Sequence, residues 1–325
     1  MTLATDRSPA RARLVHSAIM TLEACRPNDF GHLPPTLRIG DLEVNRLGFG
    51  AIALAGKDAF GEPEDAAKVK AVLRRAVELG IDFLDTAGYY GPRVSNRLIC
   101  EALHPYPEHL VIATKLGMRR GANKSWVPAL RPTELRADCE ENLRALKVER
   151  LDLVQLRYFE GGEVSFDEAL GAAVMLQRQG KIRHLGLANA PPNVIEEVAG
   201  KAPIVAVQNF YNVLGGKGWF AKATHSEDAF PEMAVDVCTA RGIAFMPFIP
   251  ASMPELAAHR PTLDRIAEAH GATPAQVLTA WLLARSPVML PVPAPSSVEQ
   301  VEEVWAARTL TLSAADYADI APSPI

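Results

Sequence analysis

The chain has 325 residues, of which 48% are hydrophobic and 22% charged, and its formal net charge is -4. This composition is typical of a soluble globular protein with room for one large α/β barrel or two smaller domains. No basic stripe alternates with aromatic residues, so we do not expect a nucleic-acid partner. No apolar run approaches the ~20 residues of a membrane helix, so we expect no membrane partner.

The four cysteines are widely scattered and form no Cys-x-x-Cys pair or His/Cys cluster with metal-ligand spacing. This pattern predicts reduced thiols, no metal site and a cytoplasmic location.

Residues 1–34 form an extension in which apolar side chains repeat at helical spacing. These side chains are Leu14, Val15, Ala18, Ile19 and Leu22. The pattern predicts an amphipathic helix that docks on the following domain or on a second copy of the chain, and the second case gives a homo-oligomer. Residues 35–325 are predicted to form one further domain.

That domain begins with a β-hairpin around Gly40-Asp41 and continues as a regular alternation of strands and helices. Apolar runs predict eight strands at 47–52, 81–84, 110–114, 151–156, 182–187, 204–207, 243–248 and 288–290. Helical periodicity at 64–79, at 96–103 and from Pro132 onward separates the first four strands. Capping-box patterns that begin at Ser165, Thr273 and Ser297 predict three later helix starts.

Eight strands that alternate with helices over ~270 residues predict a (β/α)8 TIM barrel, whose sites lie at the carboxyl ends of the strands. The alternative is a doubly wound open sheet. The barrel is favoured because no Gly-x-Gly-x-x-Gly follows any strand.

The strand ends of such a barrel bring Asp85, Tyr90, Lys115 and Arg157 to one mouth, where they form a candidate proton-delivery set. A free phenol, with a pKa near ~10, is a poor acid at neutral pH. A cation about 4 Å away contributes roughly 4 kcal/mol at an effective dielectric of about 20. We therefore expect Lys115, held by Asp85, to bring the pKa of Tyr90 down to about 7. The alternative is an ordinary ion pair between Lys115 and Asp85.

Five segments of the chain together resemble the aldo-keto reductase family, with residues ~36 to 320 covered. They are Asp85-Thr-Ala-Gly-Tyr-Tyr-Gly91, Ile112-Ala-Thr-Lys115, Gly186-Leu-Ala-Asn189, Val207-Gln-Asn-Phe-Tyr211 and the segment 292–303. Within the family, the chain is most similar to the pyridoxal reductase branch. The resemblance implies that NADPH binds across the barrel mouth and that hydride passes to an aldehyde or ketone.

The resemblance also implies roles for individual residues. Tyr90 becomes the proton donor, with Lys115 and Asp85 tuning it. The residues implied to bind the cofactor are Asn189 and Gln208 at the carboxamide, Tyr211 stacked on the nicotinamide, and Gly50, Ser296, Ser297, Gln300 and Glu303 elsewhere.

The chain departs from the family pattern at Arg157, where a histidine is usual. A guanidinium polarises a carbonyl oxygen but does not relay a proton. We therefore expect Arg157 to assist electrostatically, and the alternative is a structural ion pair with Asp152 or Glu160.

The cofactor-phosphate segment also departs from the pattern, because 293–297 reads Pro-Ala-Pro-Ser-Ser where the family has a Pro-Gly-Thr-Ser-type loop, and Gln300 replaces an arginine. Proline removes an N–H donor, so the preference for NADPH is weakened. Arg119 and Arg120 are candidates to compensate, although a solvated loop is the alternative for them.

Three hypotheses follow. The first is an NADPH-dependent carbonyl reductase. The second is a non-redox proton-transfer catalyst, such as a cyclase or dehydratase, on a barrel with a weakened nicotinamide site. The third is a non-catalytic binding subunit. The segment 215–230 is expected to cover the substrate, with a disordered insertion as the alternative.

Overall fold

The computed structural model describes residues 33–214, 231–248 and 254–320. The predicted N-terminal helix and the predicted substrate cover at 215–230 lie outside the described residues. The described chain begins with strands β1 (Thr36–Ile39) and β2 (Leu42–Asn45), which pair antiparallel. Gly40 adopts the left-handed φ of 64° that this tight turn requires. The predicted N-terminal hairpin is therefore confirmed.

Seven parallel strands form the main sheet. They are β3 (Phe49–Gly50), β4 (Phe83–Asp85), β5 (Val111–Leu116), β8 (Leu151–Arg157), β9 (Ile182–Ala188), β10 (Ile204–Phe210) and β11 (Ala244–Phe248). Their order in the sheet is β11-β10-β9-β8-β5-β4-β3. A second hairpin, β6 (Met118–Arg120) with β7 (Trp126–Pro128), follows β5. This hairpin was not predicted from the sequence.

The segment 288–293 closes the sheet into a barrel between β11 and β3. On one side the backbone N–H of Leu290 donates to Phe245 at 2.8 Å. On the other, the N–H groups of Gly48 and Gly50 donate to Pro291 and Pro293 at 3.0 and 2.7 Å. Proline has no N–H group, so this eighth strand pairs irregularly. The TIM barrel is confirmed.

Gly50 is needed for this closure. A Cβ at this position would lie 2.7 Å from the carbonyl oxygen of Val292. Its predicted contact with the cofactor stays a prediction, because the neighbouring barrel wall already accounts for the glycine.

We expect Gly50→Ala to lower the free energy of unfolding by about 1–3 kcal/mol, because the added methyl group overpacks the seam. Urea unfolding measures this change. Gly171→Ala is the matched control, since Gly171 is exposed on its helix and no atom outside that helix backbone lies within 4 Å of its Cβ position. That control should be neutral or stabilising by about 0.4–1 kcal/mol. Equal destabilisation of both variants would contradict the argument.

Ten α-helices of the described chain cover and flank the barrel. They are α1 (Ala66–Glu78), α2 (Val94–Leu103), α3 (Pro132–Leu146), α4 (Phe166–Arg178), α5 (Pro192–Lys201), α6 (Pro231–Arg241), α7 (Arg260–His270), α8 (Pro274–Arg285), α9 (Val298–Ala306) and α10 (Ala314–Ile320). The side chains of Ser165, Thr273 and Ser297 accept hydrogen bonds from the N–H groups of Glu168, Gln276 and Gln300. The three predicted helix starts are therefore confirmed.

Alternate residues of each strand face opposite sides of the barrel wall, as strand geometry requires. Phe83, Val111 and Leu153 belong to the inner cluster, together with the N-terminal hairpin. Their neighbours Leu84, Ile112 and Val154 pack in the layer between sheet and helices. The last inward positions at the carboxyl ends of these strands are Asp85, Lys115 and Arg157, so the alternation of the strands brings these polar residues to one mouth.

Candidate active site

Lys115 and Asp85 form a buried ion pair at the carboxyl ends of β5 and β4. The ammonium donates to both carboxylate oxygens, at 2.8 and 2.7 Å, and to the carbonyl oxygen of Thr86 at 3.0 Å. Lys115 and Asp85 are only 2% and 4% exposed. Lysine has three N–H donors, and all three are used in these contacts.

Tyr90 lies against this ion pair. The Lys115 ammonium is 5.1 Å from the centre of the phenol ring, over its face. Tyr90 is buried, and the Tyr89 ring packs edge-on against it with 5.3 Å between centroids. The structure therefore brings the predicted acid and the predicted cation together, but the ammonium faces the ring and its N–H groups bind elsewhere.

The expected lowering of the Tyr90 pKa is wrong. Burial raises the pKa of Tyr90, the charge of Asp85 raises it further, and the charge of Arg157 lowers it. The reason is that both oxygens of Asp85 neutralise the Lys115 ammonium at hydrogen-bond distance. Tyr90 is therefore a protonated phenol throughout the neutral pH range.

Arg157 ends β8, and its guanidinium lies 5.3 Å from the ring centre of Phe159. Its Nε is buried and has no hydrogen-bond partner among the described residues. The alternative, an ion pair of Arg157 with Asp152 or Glu160, is not found among the described residues. Asp152 instead accepts a hydrogen bond from the N–H of Ile112 at 3.1 Å. The charge of Arg157 acts to lower the pKa of both Tyr89 and Tyr90, so the guanidinium interacts electrostatically with both phenols.

Two amide side chains follow on the adjacent strands β9 and β10. The backbone N–H of Asn189 donates to the carbonyl oxygen of Gln208 at 2.9 Å, and Asn189 has a left-handed φ of 57°. Asparagine tolerates this conformation better than most residues. The Nε2 of Gln208 is buried with no hydrogen-bond partner in the described chain. A buried unpaired donor costs about 1–3 kcal/mol, so this amide is suited to a ligand's carbonyl oxygen.

The prediction that Tyr211 stacks on the nicotinamide is wrong. Tyr211 is fully buried in the layer between sheet and helices, where it stacks on Trp281 with 5.9 Å between ring centroids. Its hydroxyl donates to Glu232 at 3.0 Å. The cause is strand alternation, because Tyr211 has the outward parity of Val207.

Phe210 is a residue of this rim that the sequence analysis missed. It has the inward parity of Gln208 and lies 5.8 Å from the ring of Phe248. Counting alternate residues from Gln208 would have found it.

The polar groups of the predicted phosphate segment contact one another. Gln300 accepts hydrogen bonds from the N–H and hydroxyl of Ser296, at 2.8 and 3.0 Å, and Ser297 caps α9. The carboxylate of Glu303 accepts the hydroxyl of Thr273 at 2.5 Å, which ties α9 to α8. The cofactor roles of these four residues stay predictions.

The β6–β7 hairpin adds aromatic surface beside Tyr90. Trp126 is 42% exposed and packs edge-on against Tyr89, with 5.8 Å between centroids. Arg120 lies over the Trp126 ring at 3.7 Å and donates to the carbonyl oxygen of Asp58 at 3.1 Å. Arg120 is therefore bound within the protein, and neither of its predicted roles, phosphate contact or solvated loop, describes these contacts.

Among the described residues, no helix is long and apolar enough to cross a membrane. The same part of the chain holds no group of three or more His, Cys, Asp or Glu side chains suited to a metal ion. Cys100, Cys139 and Cys238 are buried free thiols.

A parallel β/α barrel with a tyrosine and a buried lysine–aspartate pair at its mouth defines the class of protein. A model of the aldo/keto reductase family matches residues 46–323, and the chain belongs to this family. It is 42% identical over 287 residues to pyridoxine 4-dehydrogenase of Escherichia coli K12, and the aligned region covers 86% of this chain and 94% of that protein.

More distant relatives agree with this assignment. An uncharacterised oxidoreductase of Schizosaccharomyces pombe is 36% identical, with 88% of each chain covered. The solved structure of glycerol dehydrogenase from Gluconobacter oxydans superposes with a TM-score of 0.74 at 23% identity, over 90% of this chain and 97% of that one. An aldo-keto reductase from Klebsiella pneumoniae in complex with NADPH gives 0.70 at 22% identity, over 89% and 94%. These two structures support the fold.

Proposed function

We propose that this protein is an NADPH-dependent reductase that converts an aldehyde or ketone to an alcohol, with Tyr90 as the proton donor. The observation that carries the proposal is the buried Lys115–Asp85 pair packed against Tyr90 at the barrel mouth. A solved relative with the same fold contains NADPH, which supports the choice of cofactor.

The chemistry needs a hydride and a proton, and NADPH, when bound, supplies the hydride to the carbonyl carbon. Tyr90 gives its proton to the carbonyl oxygen as negative charge develops there. A phenol of raised pKa remains competent for this step, because an alkoxide is a base comparable to hydroxide, and bulk water has a pKa of about 15.7. The high pKa of Tyr90 keeps its proton in place until that oxygen becomes basic.

Arg157 stabilises the same developing charge. Its guanidinium is a permanent cation, and its buried Nε has no hydrogen-bond partner among the described residues. A preorganised cation in a site shielded from water stabilises an oxyanion more than it would in bulk water. Arg157 therefore polarises the carbonyl, while Tyr90 alone moves a proton.

The substrate we propose is an aromatic aldehyde or ketone related to pyridoxal. The relative at 42% identity is named for pyridoxine, which is an aromatic alcohol. The exposed ring of Trp126 offers apolar aromatic surface beside Tyr89 and Tyr90, and aromatic rings pack favourably edge-on or offset against one another.

A titration of NADPH into the purified protein, followed by tryptophan fluorescence, tests the cofactor. We expect quenching with a micromolar Kd and weaker binding in Gln208→Leu, by about tenfold if one buried hydrogen bond of ~1.4 kcal/mol is lost. Gln177→Leu is the matched control, because Gln177 donates to the carbonyl oxygen of Arg183 outside the mouth.

No NADPH binding up to millimolar concentration would overturn the proposed function and would favour a proton-transfer catalyst that uses the same side chains. Equal weakening in the two glutamine variants would instead overturn the assignment of Gln208.

A further inference from the structure

A buried polar cluster lies directly behind the candidate active site, on the helix side of the barrel wall. Its members are Thr86, Asn96, Thr114 and Asn142, each no more than 1% exposed. No role for this cluster follows from the aldo-keto reductase resemblance described above, and the reduction step does not use it.

The hydrogen bonds of the cluster converge on Asn142. Its Oδ1 accepts the hydroxyl of Thr114 at 2.7 Å and the Nδ2 of Asn96 at 2.9 Å. The Oδ1 of Asn96 in turn accepts the hydroxyl of Thr86 at 2.8 Å. One acceptor on α3 therefore connects the ends of β4 and β5 through a chain of satisfied hydrogen bonds, which makes a buried network rigid.

Each threonine is the sequence neighbour of one partner in the ion pair. Asp85 and Lys115 face the barrel interior, so Thr86 and Thr114 face the helices. In addition, the Thr86 carbonyl oxygen accepts a hydrogen bond from the Lys115 ammonium at 3.0 Å. A shift of either threonine therefore moves a backbone segment that holds the ion pair.

The same cluster supports the loop that carries Tyr90. A Cβ built on Gly88 would lie 2.9 Å from the Nδ2 of Asn142 and 3.0 Å from the Oδ1 of Asp138. The loop therefore rests directly on these two side chains. Asn142 also donates to Asp138 Oδ1 at 3.0 Å and to its carbonyl oxygen at 2.8 Å, which fixes the amide orientation.

We propose that Asn142, through Thr86 and Thr114, is a positioning residue that sets the Lys115 ammonium and the Tyr90 ring in the geometry needed for proton transfer. This inference rests on the proposed function and deepens it. Small misplacements at a reacting centre are costly, since about 1 Å can reduce the rate by about 10²-fold. Loss of the network should therefore lower kcat while cofactor binding is preserved.

The experiment compares Thr→Val and Thr→Ser changes at positions 86 and 114. Valine has the shape of threonine without the hydroxyl, and serine keeps the hydroxyl. We expect Thr86→Val/Thr114→Val to lower kcat about tenfold or more with an unchanged Kd for NADPH, and Thr86→Ser/Thr114→Ser to retain most of the activity. Thr279→Val is the matched control, because its buried hydroxyl donates to Ala275 within α8, remote from the mouth.

Amide hydrogen exchange over residues 85–91 gives a second readout that needs no substrate. We expect faster exchange in the double valine variant than in Thr279→Val. If the double variant folds poorly, the single variant Thr114→Val takes its place in this comparison. Kcat and exchange equal to those of Thr279→Val would overturn the inference. Wild-type protein without carbonyl reduction would instead overturn the proposed function, so the two failures are distinguishable.

Discussion

Replacing Tyr90 with phenylalanine should lower kcat by about 10²- to 10⁴-fold, the usual contribution of a general acid. The Tyr90 phenol lies on the Lys115–Asp85 pair and stays protonated at neutral pH, so its loss removes the proton that the product oxygen needs. Single-turnover reduction of an aromatic aldehyde by NADPH measures the effect. Unchanged thermal unfolding and NADPH affinity would locate the effect in the chemical step.

Tyr89→Phe is the matched control, because it removes a phenol hydroxyl from the adjacent residue. That hydroxyl is buried and has no hydrogen-bond partner among the described residues. Its removal should leave kcat unchanged and should not lower stability, since an unpaired buried hydroxyl carries a desolvation cost without a compensating bond. An inactive Tyr89→Phe protein beside an active Tyr90→Phe protein would reverse the assignment of the two tyrosines.

The barrel and the ion pair were accessible from sequence because they follow from simple periodicities. Apolar runs separated by helical patterns predicted the strand ends, and the last inward residues of β4 and β5 are Asp85 and Lys115. Since neighbouring parallel strands place their carboxyl ends side by side, the contact between the two charged side chains could be predicted from the strand ends alone.

The errors arose where side-chain direction decides the outcome. Tyr211 stands next to the inward Phe210, and one step along a strand moves a ring from the mouth to the helix layer. The pKa of Tyr90 depended on the number of Lys115 donors that Asp85 and Thr86 occupy. A sequence contains the donors but not their directions.

The polar cluster around Asn142 was hidden for a related reason. Asparagine is ordinarily an exposed residue, but Asn142 lies on the buried face of α3 at helical spacing from Leu135 and Leu146. The pattern does not show that its partners there are Asn96 and Thr114. Only the packing of α3 against two strand ends brings these groups together. The irregular closing strand was also hard to predict from the sequence. Pro291 and Pro293 argue against a strand, while closure of the barrel still needs one there.

Replacing Lys115 with methionine should lower the free energy of unfolding by about 3–5 kcal/mol, the cost of leaving a buried charge without its partner. The carboxylate of Asp85 is 4% exposed and receives two hydrogen bonds from this one ammonium. Activity should be lost at the same time. Urea unfolding measures the change, and Lys70→Met is the matched control because Lys70 pairs with Glu101 at the surface. An exposed pair of this kind contributes about 0–1 kcal/mol.

The double variant Asp85→Asn/Lys115→Met separates the charge from the packing. If the unpaired carboxylate causes the instability, a neutral amide opposite methionine should recover part of the lost stability. It removes the uncompensated buried charge and leaves an amide without that partner, which costs about 1–3 kcal/mol. Activity should not return, since the Tyr90 ring would still lack the Lys115 ammonium against which it packs. A double variant as unstable as Lys115→Met would show that packing of the lysine stem stabilises this rim, and recovery of activity would show that the proton transfer does not depend on the ion pair.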